Sequence, residues 1–173
     1  MQRRRNWILM RGARALLLGG AALLAAGASA SAQDGAALPD GATALTVERA
    51  YDDVRFDMEN AIINRGLVID HVSHIGEMLA RTGADVGSDK VVYVNADAMM
   101  FCSARLSRAA MEASPGNIAF CPYVVFAFET PDAPGKVTVG FRRLEEVGSE
   151  ASKKALADVN ALLEEIISEA AGR

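Results

Sequence analysis

The stretch FCSARLSRAAMEASPGNIAFCPY, residues 101–123, holds both cysteines of the chain, Cys102 and Cys121. Paired thiols offer three chemistries: a covalent bridge, soft-metal ligation or redox exchange. An even cysteine count in a chain bound for an oxidising compartment favours the bridge. Closing a loop of about 20 residues would stabilise the domain by roughly 3 kcal/mol on the loop-entropy model. Redox exchange asks for an exposed thiol of low pKa, and the chain has no CxxC.

A metal would draw on a small set of donors. His71 and His74 are the only histidines, so with the cysteines they make the one available Cys₂His₂ set. Their spacings, C-x₁₈-C and H-x₂-H, match no common zinc arrangement, and on a strand the two imidazoles would point to opposite faces. Met100, with Met99 and Met111, adds soft sulfur suited to Cu(I) or to a haem axial position. The absence of CxxCH excludes covalent c-type haem. Methionines more often fill cores, so the expectation is no cofactor. Copper, zinc or non-covalent haem at Cys102, Cys121, His71, His74 and Met100 is the alternative.

Other polar candidates are thinner. Asp70 beside His71 could orient an imidazole for proton transfer, but Ser73 and Ser103 lack a G-x-S-x-G elbow. Arg142 and Arg143 sit beside Glu145 and Glu146 and read as a solvated basic pair. Phe101, Phe120, Tyr123 and Phe126, with Phe128 and Phe141, cluster late in the chain. Such a cluster makes a core, or it lines a pocket for a small apolar ligand.

The elements that must position these residues follow from hydrophobic period and turn chemistry. Residues 1–32 have the pattern of a cleaved export signal: a basic start, an apolar run over 15–26, and the small residues GASASA ending at Ala32. The apolar run is too short for a spanning helix, so no stable membrane anchor is expected. Arg4-Arg5 leaves the Sec and twin-arginine routes both open. The expected location is periplasmic or secreted. Five of the 18 Lys+Arg and none of the 22 Asp+Glu lie in that segment, leaving 13 against 22 and a net charge of −9. A surface so acidic argues against nucleic acid as a partner.

Residues 33–42 read as a flexible linker, and 43–173 as one domain. Within it the spacing predicts a strand at 43–47, a helix over 51–65, strands at 67–72 and 90–95, and short helices at 75–80 and 107–113. A hairpin of strands at 123–129 and 136–142 follows, joined by TPDAPG. A final amphipathic helix over 149–171 is capped by Ser149, with Leu156, Val159, Leu163, Ile166 and Ala170 on one face. Strands with interspersed helices give an α+β sandwich.

The runs GLVIDHVSHIGEML, FCSARLSRAAMEASPGNIAFCPY and GKVTVGFRR together resemble the exported, cysteine-bearing branch of the DUF302 family. That resemblance implies a TBP-like α+β fold, a curved antiparallel sheet backed by helices, and in some members a homodimer. It carries no catalytic residue, because the family's function is unassigned. The expectation is a non-enzymatic binding domain for a small ligand or an exported protein partner, stapled by one disulfide. A metal or redox protein and a self-associating module are the competing classes.

Overall fold

The computed structural model describes residues 37–173; residues 1–32, expected from their pattern to be an export signal, and the first residues of the expected linker lie outside the described residues. In chain order the elements are β1 (Ala42–Glu48), α1 (Tyr51–Ile63), β2 (Val68–His74), α2 (Ile75–Thr82), β3 (Asn95–Cys102), α3 (Ala104–Ala113), β4 (Tyr123–Glu129), β5 (Lys136–Arg142) and α4 (Glu150–Ala170). Short 3₁₀ turns occupy Ala84–Val86 and Pro115–Phe120. The five strands form one open sheet in the order β1-β5-β4-β3-β2, and every pairing is antiparallel. No helix among the described residues is long and apolar enough to cross a membrane.

One face of the sheet carries the core. Alternation along β3, β4 and β5 turns Met99, Phe101, Val125, Val137, Val139 and Phe141 to the same side, each fully buried. Val54, Met58 and Ile62 of α1 and Leu156, Val159, Leu163 and Ile166 of α4 repeat every three or four residues and close over that side. Polar groups sealed into this layer are satisfied. Asn160 bonds both the N–H and the carbonyl of Leu144 at 2.9 Å, tying the chain after β5 to α4. Asn117 Nδ2 donates to the Ala110 carbonyl and to Ser152 Oγ, both at 2.8 Å. Ser149 Oγ accepts from the Ser152 N–H as the expected cap.

Among the described residues no long helix lies over the other face. Val124, Phe126 and Phe128 of β4 point that way and are half-buried, and Met100 of β3 joins them. Only α2, folded back directly after β2, borders this side, and none of its residues is buried. Gly76 lets it approach: a Cβ there would lie 2.9 Å from the backbone nitrogen of Ala96.

Most boundaries differ from the sequence reading by one or two residues, and three differences bear on the site. The strand expected at 90–95 is exposed coil, with Val91 66% and Val94 50% exposed, and the strand runs instead over Asn95–Cys102. Residues 90–94 have the better β-propensity, but tertiary pairing with β2 and β4 and the burial of Met99 and Phe101 select NADAMMFC. β2 extends to His74 and so places that residue in the ladder. α3 starts at Ala104, with Ser103 Oγ accepting from the Leu106 N–H at 3.4 Å.

Candidate functional site

Three constellations of chemically capable side chains lie on or at the ends of the sheet. The first is the cysteine pair. Cys102 closes β3 and Cys121 precedes β4, and because these strands pair with Phe101 opposite Tyr123, both sulfurs reach the same end of the ladder. The Sγ atoms are 2.7 Å apart, longer than the about 2.05 Å of a bond. The expected bridge is thus present as two neighbouring free thiols, each half-buried. Ser107 Oγ stands 3.7 Å from Cys121 Sγ and 3.0 Å from the Tyr123 hydroxyl. Burial, then the hydrogen bond to the Cys121 thiol and that group's charge, pushes Cys102 up to about 12. A thiol held protonated is a poor nucleophile and a poor metal ligand.

The second constellation was not legible as such in the sequence. Asp97, the third residue of β3 and on the α1 side of the sheet, is 7% exposed, and its two oxygens are both engaged. Oδ1 lies 2.7 Å from His74 Nδ1, and Oδ2 accepts from Arg55 Nε at 2.8 Å. The register explains the first contact, because His74 sits directly opposite Asp97. The second comes from α1, where Arg55 also reaches Glu59. Tyr51 stands over the same carboxylate. Burial first, then the Asp97 charge, raises its hydroxyl well above the usual tyrosine range, so it stays a proton donor. A hollow of about 300 Å³ opens here, lined by Tyr51, Asp52, Arg55, His74, Glu77 and Asn95 among others. An imidazole tied at Nδ1 by a carboxylate keeps Nε2 for proton transfer. Ser73 pairs opposite Ala98 on the other face, so no serine is placed to be activated by it.

The third is apolar. On the side away from α1 and α4, Leu38, Ile75, Tyr93, Ala96, Phe126 and Phe128 line a hollow of about 250 Å³. Phe126 and Phe128 stack with centroids 6.1 Å apart, and Tyr93 tilts on Phe128 at 5.5 Å.

The residues singled out from the sequence are therefore divided. Phe101 and Tyr123 meet edge to face at 6.1 Å within the core, and Phe120 packs half-buried against that core, whereas Phe126 lines the apolar hollow. His71 lies opposite Met100 and His74 opposite Asp97, while Cys102 lies opposite Val68. The Cys₂His₂ set is not brought together. Among the described residues no three His, Cys, Asp or Glu side chains gather to hold a metal ion. Asp70 is the extra residue where the β2–β3 register shifts, and it is Asp97, not Asp70, that orients an imidazole. Arg143 pairs with Glu146 and Glu164 on the surface. Tyr51 and Arg55 of α1, Tyr93 before β3 and Met78 of α2 border sites that sequence spacing did not connect, since each site draws on several elements.

No curated protein matches the sequence. Among solved structures, the chain is similar to an uncharacterized conserved DUF302 protein from Bacillus stearothermophilus. The TM-score is 0.62 at 12% identity, over 76% of this chain and 98% of that one, a likeness of fold alone. The family model described as a domain of unknown function, DUF302, matches residues 43–170, from the second residue of β1 to the last of α4. With most of its length so matched, the chain belongs to the DUF302 family.

Proposed function

We propose that this chain is an exported binding domain that takes a small apolar or aromatic ligand in the hollow formed by Tyr93, Phe126 and Phe128, and that a Cys102–Cys121 disulfide staples the opposite end of the β3–β4 ladder. The observation that carries the ligand reading is the aromatic hollow itself, set on the one sheet face that α1, α3 and α4 leave uncovered. Apolar walls with few polar groups are the usual character of a small-molecule site. The staple rests on the thiol contact at 2.7 Å. A Cys102 thiol pushed up to about 12 favours a structural bridge over a thiolate that attacks or ligates. Export rests on the pattern of residues 1–32.

Two measurements test this. Titration of the folded protein with the neutral fluorophore N-phenyl-1-naphthylamine should give saturable one-to-one binding that Phe126→Ser abolishes while the far-UV spectrum is kept. Equal binding by both proteins would place the site elsewhere. Intact mass of protein recovered from its own compartment, before and after alkylation, reads the rest. A chain starting at Gln33, two hydrogens light and unalkylated, is the expected form; two alkylated thiols on a chain still bearing its first 32 residues would sink the exported, stapled reading.

A further inference from the structure

Neither the apolar hollow nor the cysteine pair uses the groove between α2 and the sheet, which encloses about 460 Å³ and is lined by His71, Ile75, Met78, Arg81 and Met100 among others. We infer that His71, Met78 and Met100 form a binding site for a soft monovalent metal ion, Cu(I) in the first instance, independent of both cysteines.

The argument begins with register. His71 and Met100 are direct cross-strand partners, so their side chains leave the sheet on the same face with Cβ atoms about 5 Å apart. That face is the uncovered one, because the neighbours of Met100 on β3, Met99 and Phe101, are fully buried on the other. Met78 comes from the first turn of α2 and borders the same groove. Three donors from three elements thus converge on one space.

Their chemistry selects the ion. Two neutral thioethers and one imidazole are a soft set that suits Cu(I), whereas Ca²⁺ and Mg²⁺ require oxygen ligands and structural Zn²⁺ takes four ligands, usually with thiolate. Arg81 and Glu77 both line the groove, which is therefore without the excess of carboxylates that a hard divalent cation requires. Core filling does not explain Met78, which is 41% exposed on a helix without a buried residue. His74 also borders the groove, but it pairs opposite Asp97 on the α1 face and its Nδ1 is bound there, which leaves His71 as the imidazole ligand. Cys102 follows two residues after Met100 on the same face of β3, but neither it nor Cys121 lines the groove, so the cysteines are not part of this set.

The test is anaerobic Cu(I) titration against a chromophoric chelator. It uses full-length oxidised protein with any residual thiols blocked, and in parallel the Cys102→Ser/Cys121→Ser variant, so that thiolate binding is excluded by two routes. One Cu(I) per chain is expected, with affinity falling about tenfold or more in each of His71→Asn, Met78→Leu and Met100→Leu, and staying within about twofold in His74→Gln. Carbon-13 methyl spectra should show the Met78 and Met100 signals moving on Cu(I) addition while buried Met58 and Met99 stay still. Failure of the thiol-free protein to retain Cu(I), or retention undiminished by the three substitutions, would overturn the assignment.

Discussion

Reducing or removing the proposed Cys102–Cys121 bridge should cost the domain about 3 kcal/mol, and the cost should grow with pH. The loop between the two residues spans about 20 positions, for which the chain-entropy relation gives roughly 11 cal/mol/K, or about 3 kcal/mol at 25 °C. For a folded unit of this size that is a drop of about 10 °C in Tm. The pH term belongs to the dithiol alone. In the folded dithiol Cys102 keeps its proton up to about 12, while in the unfolded chain a thiol ionises near 8.5. Between those values the unfolded state binds fewer protons than the folded one, so stability falls as pH rises through that window and is fully present below it. The oxidised protein has no such titration. Urea unfolding of oxidised and reduced protein, followed by circular dichroism with thiols counted at each point, therefore should show a gap of about 3 kcal/mol at pH 7 that widens by pH 10. A gap under about 1 kcal/mol at pH 7, or one that narrows on raising pH, would refute both the staple and the assignment of burial as the cause of the Cys102 shift.

Asp97→Ala should destabilise by about 2 kcal/mol in urea unfolding, less than the 3–5 typical of a broken buried pair, because Arg55 and His74 are 29% and 50% exposed and water replaces the lost carboxylate. Asp97→Asn, which keeps an acceptor, should cost less, and equality of the two would mean that the neutral acceptor contributes nothing and the carboxylate charge carries the whole effect. Gly140→Ala should cost about 3 kcal/mol, since its Cβ would lie 2.5 Å from the Thr43 carbonyl oxygen and 2.6 Å from the Ala44 Cβ. It would also press on Phe126, 2.8 Å from that Cβ, so N-phenyl-1-naphthylamine binding should weaken with it; a neutral effect in thermal melts would show that β1 and β5 yield freely there.

How far the sequence disclosed this depends on whether local and tertiary preferences agree. In the hairpin they agree: YVVFAFE and KVTVGFR are β-prone, alternate correctly and flank a Pro- and Gly-bearing turn, and β4 and β5 occupy those residues. Agreement holds again in α4, where a Ser cap and a single apolar stripe leave one reading. Around residue 95 the preferences conflict. KVVYV looks like a strand and NADAMM does not, so Asp97 reads locally as a strand's end when it is in fact interior.

That misplacement and the charge network have the same cause. An acidic residue is excluded from a central strand unless something outside the strand neutralises and hydrogen-bonds it. Here the compensation comes from His74, 23 residues back on β2, and from Arg55, 42 residues back on α1. Neither separation leaves a local mark, so no window short enough to reveal a strand could have revealed its partners. The cysteines and the aromatic hollow differ in degree only. That Cys102 and Cys121 are neighbours, though two free thiols 2.7 Å apart, is legible because adjacent antiparallel strands share an end, which is a topological rule, whereas dividing Phe101 and Tyr123 from Phe126 requires knowing which sheet face the helices cover. Alternation alone assigns residues to two faces without saying which is inside. Where the sequence reading broke, at a buried Asp in a run of poor strand formers, it broke at the place where the fold commits a charged group to a fixed position. Local rules are commonly violated at such places when a site requires it.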